Sequence, residues 1–165
     1  MTRRLREYQL GSVPGAPQSF YHTPVIRLTI VRERSVETPR QIKSPADAAA
    51  ALLERFSSAD REVFVAVLLD AKNRVLAIDP CFVGSLDRAS ITMREAFKGA
   101  MLIGAAAVIF AHNHPSSDVE PSPEDLLLTM QLIAAGKVLD IDTLDHLILG
   151  DGRYISLRQR GIGGW

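Results

Sequence analysis

Apolar positions along the chain follow two periods, and the segments that carry them alternate. Residues 45–56 place Ala49, Leu52, Leu53 and Phe56 at three-and-four spacing behind Ser44-Pro45-Ala46-Asp47. That start supplies an N-cap, a proline at the first helical position and an early acid, so the pattern predicts a helix. Residues 63–69 are a continuous apolar run rich in β-branched side chains, too short for a helix and suited to a central strand. Asp70-Ala71-Lys72-Asn73 predicts a turn, residues 74–78 an antiparallel return, and Phe82-Val83 its extension before Gly84. Thr92 and Glu95 have the spacing of a capping box, which predicts a second helix as far as Ile103, ended by Gly104. Residues 105–111 predict another buried strand. Ser122-Pro123-Glu124-Asp125 repeats the earlier helix start and predicts a third helix through Leu126, Leu127, Met130 and Ile133 to Gly136. Residues 138–141 and 146–149 predict closing strands, with Gly150-Asp151-Gly152-Arg153 as a turn before Tyr154-Ile155.

Upstream, Val25-Ile26-Arg27-Leu28-Thr29-Ile30 alternates in the manner of a half-buried edge strand, with Pro24 at its start. Residues 1–23 have no apolar period and predict a flexible Arg-rich arm ahead of one domain spanning residues 24–165. Strands alternate with helices, a hairpin turn falls between them, and no glycine-rich phosphate loop follows a strand. The expected class is therefore α/β, a mixed sheet flanked by helices, and not a doubly wound nucleotide-binding fold.

Composition narrows the function. Hydrophobic residues make up 47% and charged residues 23%, too apolar for a disordered chain. Nineteen basic side chains balance nineteen acidic ones, so no global charge draws the protein to phosphate or anionic lipid. The charge is uneven, however: residues 1–40 hold seven Arg against three Glu, and residues 110–151 hold eight acids against Lys137 alone. A single cysteine, Cys81, excludes an internal disulfide framework and any zinc site built from several thiolates, so a reducing cytoplasm is the expected compartment. No apolar run reaches membrane-spanning length and no secretory signal is evident.

The acidic third carries the candidate chemistry. His112 and His114 stand two apart where a strand leaves the core, so in extended backbone both rings point to one side. Asp125 follows in the first turn of the third helix, behind Ser122. Two imidazoles and one carboxylate form a catalytic zinc set that leaves a fourth position for water. Neither half is specific alone, because Ser44-Pro45-Ala46-Asp47 uses the same cap with no histidine nearby.

The complete string His112-x-His114-x7-Ser122-x2-Asp125 resembles the motif of the JAMM (MPN-domain) metalloproteases. The flanking residues sharpen the likeness: Ala111-His112-Asn113-His114-Pro115-Ser116, Pro121-Ser122, Leu144-Asp145-His146-Leu147-Ile148 and Tyr154-Ile155-Ser156 resemble the RadC family of bacterial JAMM-domain proteins, from about Ile42 to Gly161. The resemblance implies an MPN-type α/β domain that holds one zinc ion through His112, His114 and Asp125. It further implies that Ser122 hydrogen-bonds the reacting water or tetrahedral intermediate, and that an upstream glutamate is the general base. Glu62, just ahead of an apolar strand, stands where JAMM proteins carry theirs; Glu95 is the alternative, with a competing use in its own helix cap.

The implied activity is hydrolysis of peptide or isopeptide bonds in a protein or peptide substrate. The alternatives are a catalytically silent MPN scaffold that binds a protein partner, and an accessory factor associated with DNA repair, as the family is. Residues 1–40 are too short and too aperiodic for the DNA-binding helical region of full-length RadC proteins, which leaves Arg3, Arg4 and Arg6 as the only phosphate contacts on offer. Ser117 stands where RadC sequences usually have glycine, which stiffens the loop between the histidines and the helix. Cys81 reads as an inert thiol, and His146 as a structural residue or a support for a ligand.

Overall fold

A computed structural model describes residues 30, 37–56, 59–84 and 91–165. The arm expected at residues 1–23 lies outside them, as does all but Ile30 of the strand expected at residues 25–30. The elements run α1 (Pro45–Phe56), β1 (Glu62–Leu69), β2 (Val75–Gly84), α2 (Met93–Ile103), β3 (Ala107–Asn113), α3 (Pro123–Leu139), β4 (Asp142–Gly150) and β5 (Arg153–Ser156).

The strands form one sheet in the order β2-β1-β3-β4-β5. The β3–β4 pair is parallel and the others are antiparallel, so the sheet is mixed as its connections require: a tight turn joins β1 to β2, and α3 carries the chain from β3 to β4. The β1 run is buried over seven consecutive residues and β3 over its whole length, the signature of strands covered on both faces. On one face Val63, Val65, Val67, Ile109, Ala111, Leu147 and Leu149 pack against Ala48, Ala49 and Leu52 of α1. On the other Phe64, Val108 and Phe110 pack against Ala96 and Phe97 of α2 and Leu132 of α3. Phe64 and Phe110 stack at 5.4 Å between ring centroids, each fully buried and contributing about 1.5–3 kcal/mol by leaving water. No helix among the described residues is long and apolar enough to cross a membrane.

One expectation fails. Residues 138–141 do not form a strand, because α3 runs on to Leu139 and is capped by Asp140 in the left-handed region, leaving Val138 exposed. Gly136 does not end the helix; it lets the helix lie against the next turn of chain. A Cβ there would come within 2.6 Å of both the Ile141 carbonyl oxygen and Thr143 Oγ1.

Candidate metal centre

The site stands where β3 leaves the sheet. Alternation along β3 puts His112 on the same face as Val108 and Phe110, the side covered by α2 and α3. His114 follows two residues on, its backbone N–H donating to the Leu149 carbonyl at 3.0 Å. The loop beyond is held against the end of β4. Arg153 donates to the Ser117 carbonyl at 3.1 Å, and a Cβ on Gly150 would approach that oxygen to 2.8 Å. Arg160 clamps the far end of the loop through a two-pronged ion pair with Glu120, at 2.8 and 3.0 Å.

The loop delivers the chain into α3 through a complete capping box. Ser122 Oγ accepts from Asp125 N–H at 3.1 Å, and Asp125 Oδ2 accepts from Ser122 N–H at 2.8 Å and from its hydroxyl at 2.7 Å. With Oδ2 so engaged, Oδ1 faces His112 Nε2 at 3.1 Å. His114 Nε2 lies 3.4 Å from Oδ2 and 3.0 Å from His112 Nε2. His112, His114 and Asp125 thus offer three ligand atoms, all within 4.8 Å of one another, that could hold a metal ion.

The donor set itself supports that use. His114 Nδ1 lies 2.6 Å from the Asp118 carbonyl oxygen, which can only accept, so Nδ1 carries a proton and a neutral His114 ring presents Nε2 as a lone pair. That lone pair converges with a second imidazole nitrogen and a carboxylate. A cation belongs at the centre, either a proton or a metal ion, and the two compete. Metal bonds of about 2.0–2.1 Å in tetrahedral array separate ligand atoms by about 3.3 Å. His112 Nε2 stands near that spacing from His114 Nε2, at 3.0 Å, and from Asp125 Oδ1, at 3.1 Å, while His114 Nε2 lies 3.4 Å from the other carboxylate oxygen, Oδ2.

The electrostatics describe the same centre with a proton, the metal's competitor, on the histidine Nε2 atoms. Hydrogen bonding to Asp125 raises the His114 pKa, with smaller contributions from the Asp118 carbonyl and the charge of Glu62. Burial pushes the Asp125 carboxyl up, but hydrogen bonds from His112, His114 and Ser122 outweigh it and hold the group well below the usual carboxylate range.

The two candidate glutamates part company. β1 pairs with β3 so that Phe64 lies opposite His112, their rings stacked at 6.5 Å. Alternation along β1 puts Glu62, two residues before Phe64, on the sheet face that Phe64 shares with His112, and its charge is felt at His114. Glu95 lies in the first turn of α2, where its N–H donates to Thr92 Oγ1 and its carboxylate pairs with Lys98. Its charge is felt at Asp79, beside Cys81, whose thiol burial pushes up to about 12, too high for a nucleophile.

Sequence reasoning gave Asn113 no role, and it read His146 as a structural residue or a support for a ligand without naming its partners. Asn113, between the histidines, accepts from Val63 N–H at 2.8 Å and donates to the Arg61 carbonyl at 3.0 Å, gripping the backbone on both sides of Glu62. Behind His112 lies a second polar chain: His146 Nε2 is 2.9 Å from His112 Nδ1, and His146 Nδ1 is 2.7 Å from Thr129 Oγ1. Burial holds the His146 pKa well below its ordinary value. Neighbouring Asp145, whose pKa burial raises, accepts from Ser156 Oγ at 2.6 Å and anchors the chain after β5. Thr129 stands four residues after Asp125 on the same helix, a spacing visible in the sequence once Asp125 is singled out.

Residues 42–162 match the family described as RadC-like JAB domain. A UPF0758 protein of Chloroflexus aggregans is 52% identical over 129 residues, 78% of this chain and 56% of the relative. UPF0758 proteins of Chloroflexus aurantiacus and Methanosarcina acetivorans are 48% and 45% identical, over 78% and 79% of this chain and 56% and 57% of theirs. The chain spans a little over half the length of these curated relatives. A mixed five-stranded sheet between helices, with this match across most of the chain, places the protein in the RadC family of the JAB/MPN superfamily.

Proposed function

We propose that this domain is a zinc-dependent hydrolase that cleaves peptide or isopeptide bonds. The observation that carries the reading is the convergence of His112 Nε2, His114 Nε2 and an Asp125 carboxylate oxygen, on the sheet face that also bears Glu62. In this reading His112, His114 and Asp125 hold the ion. When bound, zinc supplies a Lewis acid and lowers the pKa of a coordinated water to about 7.

The chain's own residues do the rest. Glu62 takes a proton from the attacking water as its oxygen bonds to the scissile carbonyl carbon, then hands that proton to the departing amine as the C–N bond breaks. Ser122 serves twice. Its hydroxyl donates to Asp125 Oδ2, and on turning that proton toward the substrate it becomes a donor to the developing oxyanion. The carboxylate keeps the Ser122 backbone N–H as it does so. Asn113 fixes the backbone that flanks the base.

The experiment is turnover of a library of peptide and isopeptide substrates by zinc-loaded protein. The expected result is hydrolysis that a chelator abolishes and added zinc restores. Turnover that survives chelation, or its absence from zinc-loaded protein across the library, contradicts the reading.

A further inference from the structure

The contacts behind His112 form a series whose direction the chemistry fixes. Thr129 Oγ1 lies 2.6 Å from the Asp125 carbonyl oxygen and 2.7 Å from His146 Nδ1. Two oxygens at the first distance need a proton between them, and a carbonyl has none to give. The single hydroxyl proton of Thr129 therefore goes to Asp125, and Oγ1 can only accept from His146. That places the His146 proton on Nδ1. The ring is fully buried beside the edge-on ring of Phe64 at 5.8 Å, and among the described residues its two nitrogens meet Thr129 and His112 while the Asp145 carboxylate bonds only the residue's backbone N–H, so the ring carries a single proton. His146 Nε2 is then a lone pair and accepts from His112 Nδ1 at 2.9 Å. A neutral His112 with its proton on Nδ1 presents Nε2 bare, toward His114 and Asp125.

We propose that His146, oriented by Thr129, is a positioning residue that locks His112 in the Nδ1–H tautomer and so readies its Nε2 for the metal. The role of this tautomer in metal binding rests on the zinc reading given above; the lock itself does not. The partner is an imidazole where ligating histidines more often lean on a carboxylate, carbonyl or water, so it orients the ligand without adding charge to the site. One helix supplies both parts: Asp125 gives the carboxylate, and Thr129, a turn later, sets the proton order.

Two readouts test this: zinc affinity by chelator competition, and imidazole 15N shifts in metal-free protein, which separate a protonated from a bare ring nitrogen. Thr129→Val removes the hydroxyl at nearly constant shape and is expected to lower the His112 Nδ1–H population and weaken zinc about ten- to a hundredfold. Thr129→Ser is expected to restore both. His146→Gln keeps an acceptor near the Nε2 position and is expected to bind zinc more tightly than His146→Leu, a comparison that decides if Thr129→Val fails to fold. An unchanged tautomer and zinc affinity in folded Thr129→Val, or equal affinity in the two His146 variants, overturns the proposal. A wild type that binds no zinc, yet shows the tautomer and loses it in Thr129→Val, removes the zinc reading and leaves the lock standing.

Discussion

Asn113 Oδ1 accepts a hydrogen bond from the Val63 backbone N–H at 2.8 Å, tying the residue between the two histidines to the strand start that carries Glu62. Its amide nitrogen donates to the Arg61 carbonyl at 3.0 Å, so both neighbours of Glu62 are held by one fully buried side chain. Asn113→Ala should leave zinc bound and lower turnover, because a displacement of about 1 Å at a catalytic group costs on the order of a hundredfold. It should also destabilise the fold by about 1–3 kcal/mol, because the buried Val63 N–H loses its side-chain acceptor. Zinc content, kcat and urea unfolding of one preparation check all three.

Glu62→Gln should keep its metal and its fold while losing turnover by a factor of about 10² to 10⁴, the usual contribution of a general base. Glu95→Gln removes only an exposed partner of Lys98 and should leave turnover at the wild-type level with a slightly lower Tm. Steady-state kinetics on zinc-matched samples separate them, and the reverse pattern assigns the base to Glu95.

Ser122→Ala should cost about 1 kcal/mol from the lost N-cap and, separately, about a hundredfold or more in kcat from the lost oxyanion donor. Thermal melts read the first and single-turnover rates the second. A lower Tm with undiminished hydrolysis leaves the residue a helix cap only.

The candidate site was more legible than the residues packed behind it, for a physical reason. A histidine pair two apart on a strand end and a carboxylate in a helix first turn are short-range patterns, visible as His112-x-His114 and Ser122-x2-Asp125. The support from His146 lies 34 residues from His112 and exists only because β4 runs parallel beside β3, with Phe110 opposite His146. Asn113 acts across 50 residues on Val63 for the same reason, through the β1–β3 pairing. In the fold, strand interiors and caps were readable from apolar runs and Ser-Pro starts. The end of α3 was not, since Gly136 looks like a terminator in sequence and serves a close contact with Ile141 and Thr143 that no local pattern announces.

Ser117 adopts φ +61°, a left-handed conformation that glycine reaches without strain. Ser117→Gly should relieve about 1 kcal/mol, partly offset by the greater freedom of glycine in the unfolded chain. The expected result is a Tm equal to or a few degrees above wild type, with zinc content unchanged. Differential scanning calorimetry checks it.

Zinc content per chain, measured on purified wild type beside His114→Ala and Asp125→Ala, tests the central claim most directly. Two imidazoles and a carboxylate predict about one zinc per wild-type chain and its loss from both variants, each still folded. Wild-type protein that retains no zinc, or variants that retain as much as wild type, would contradict the account.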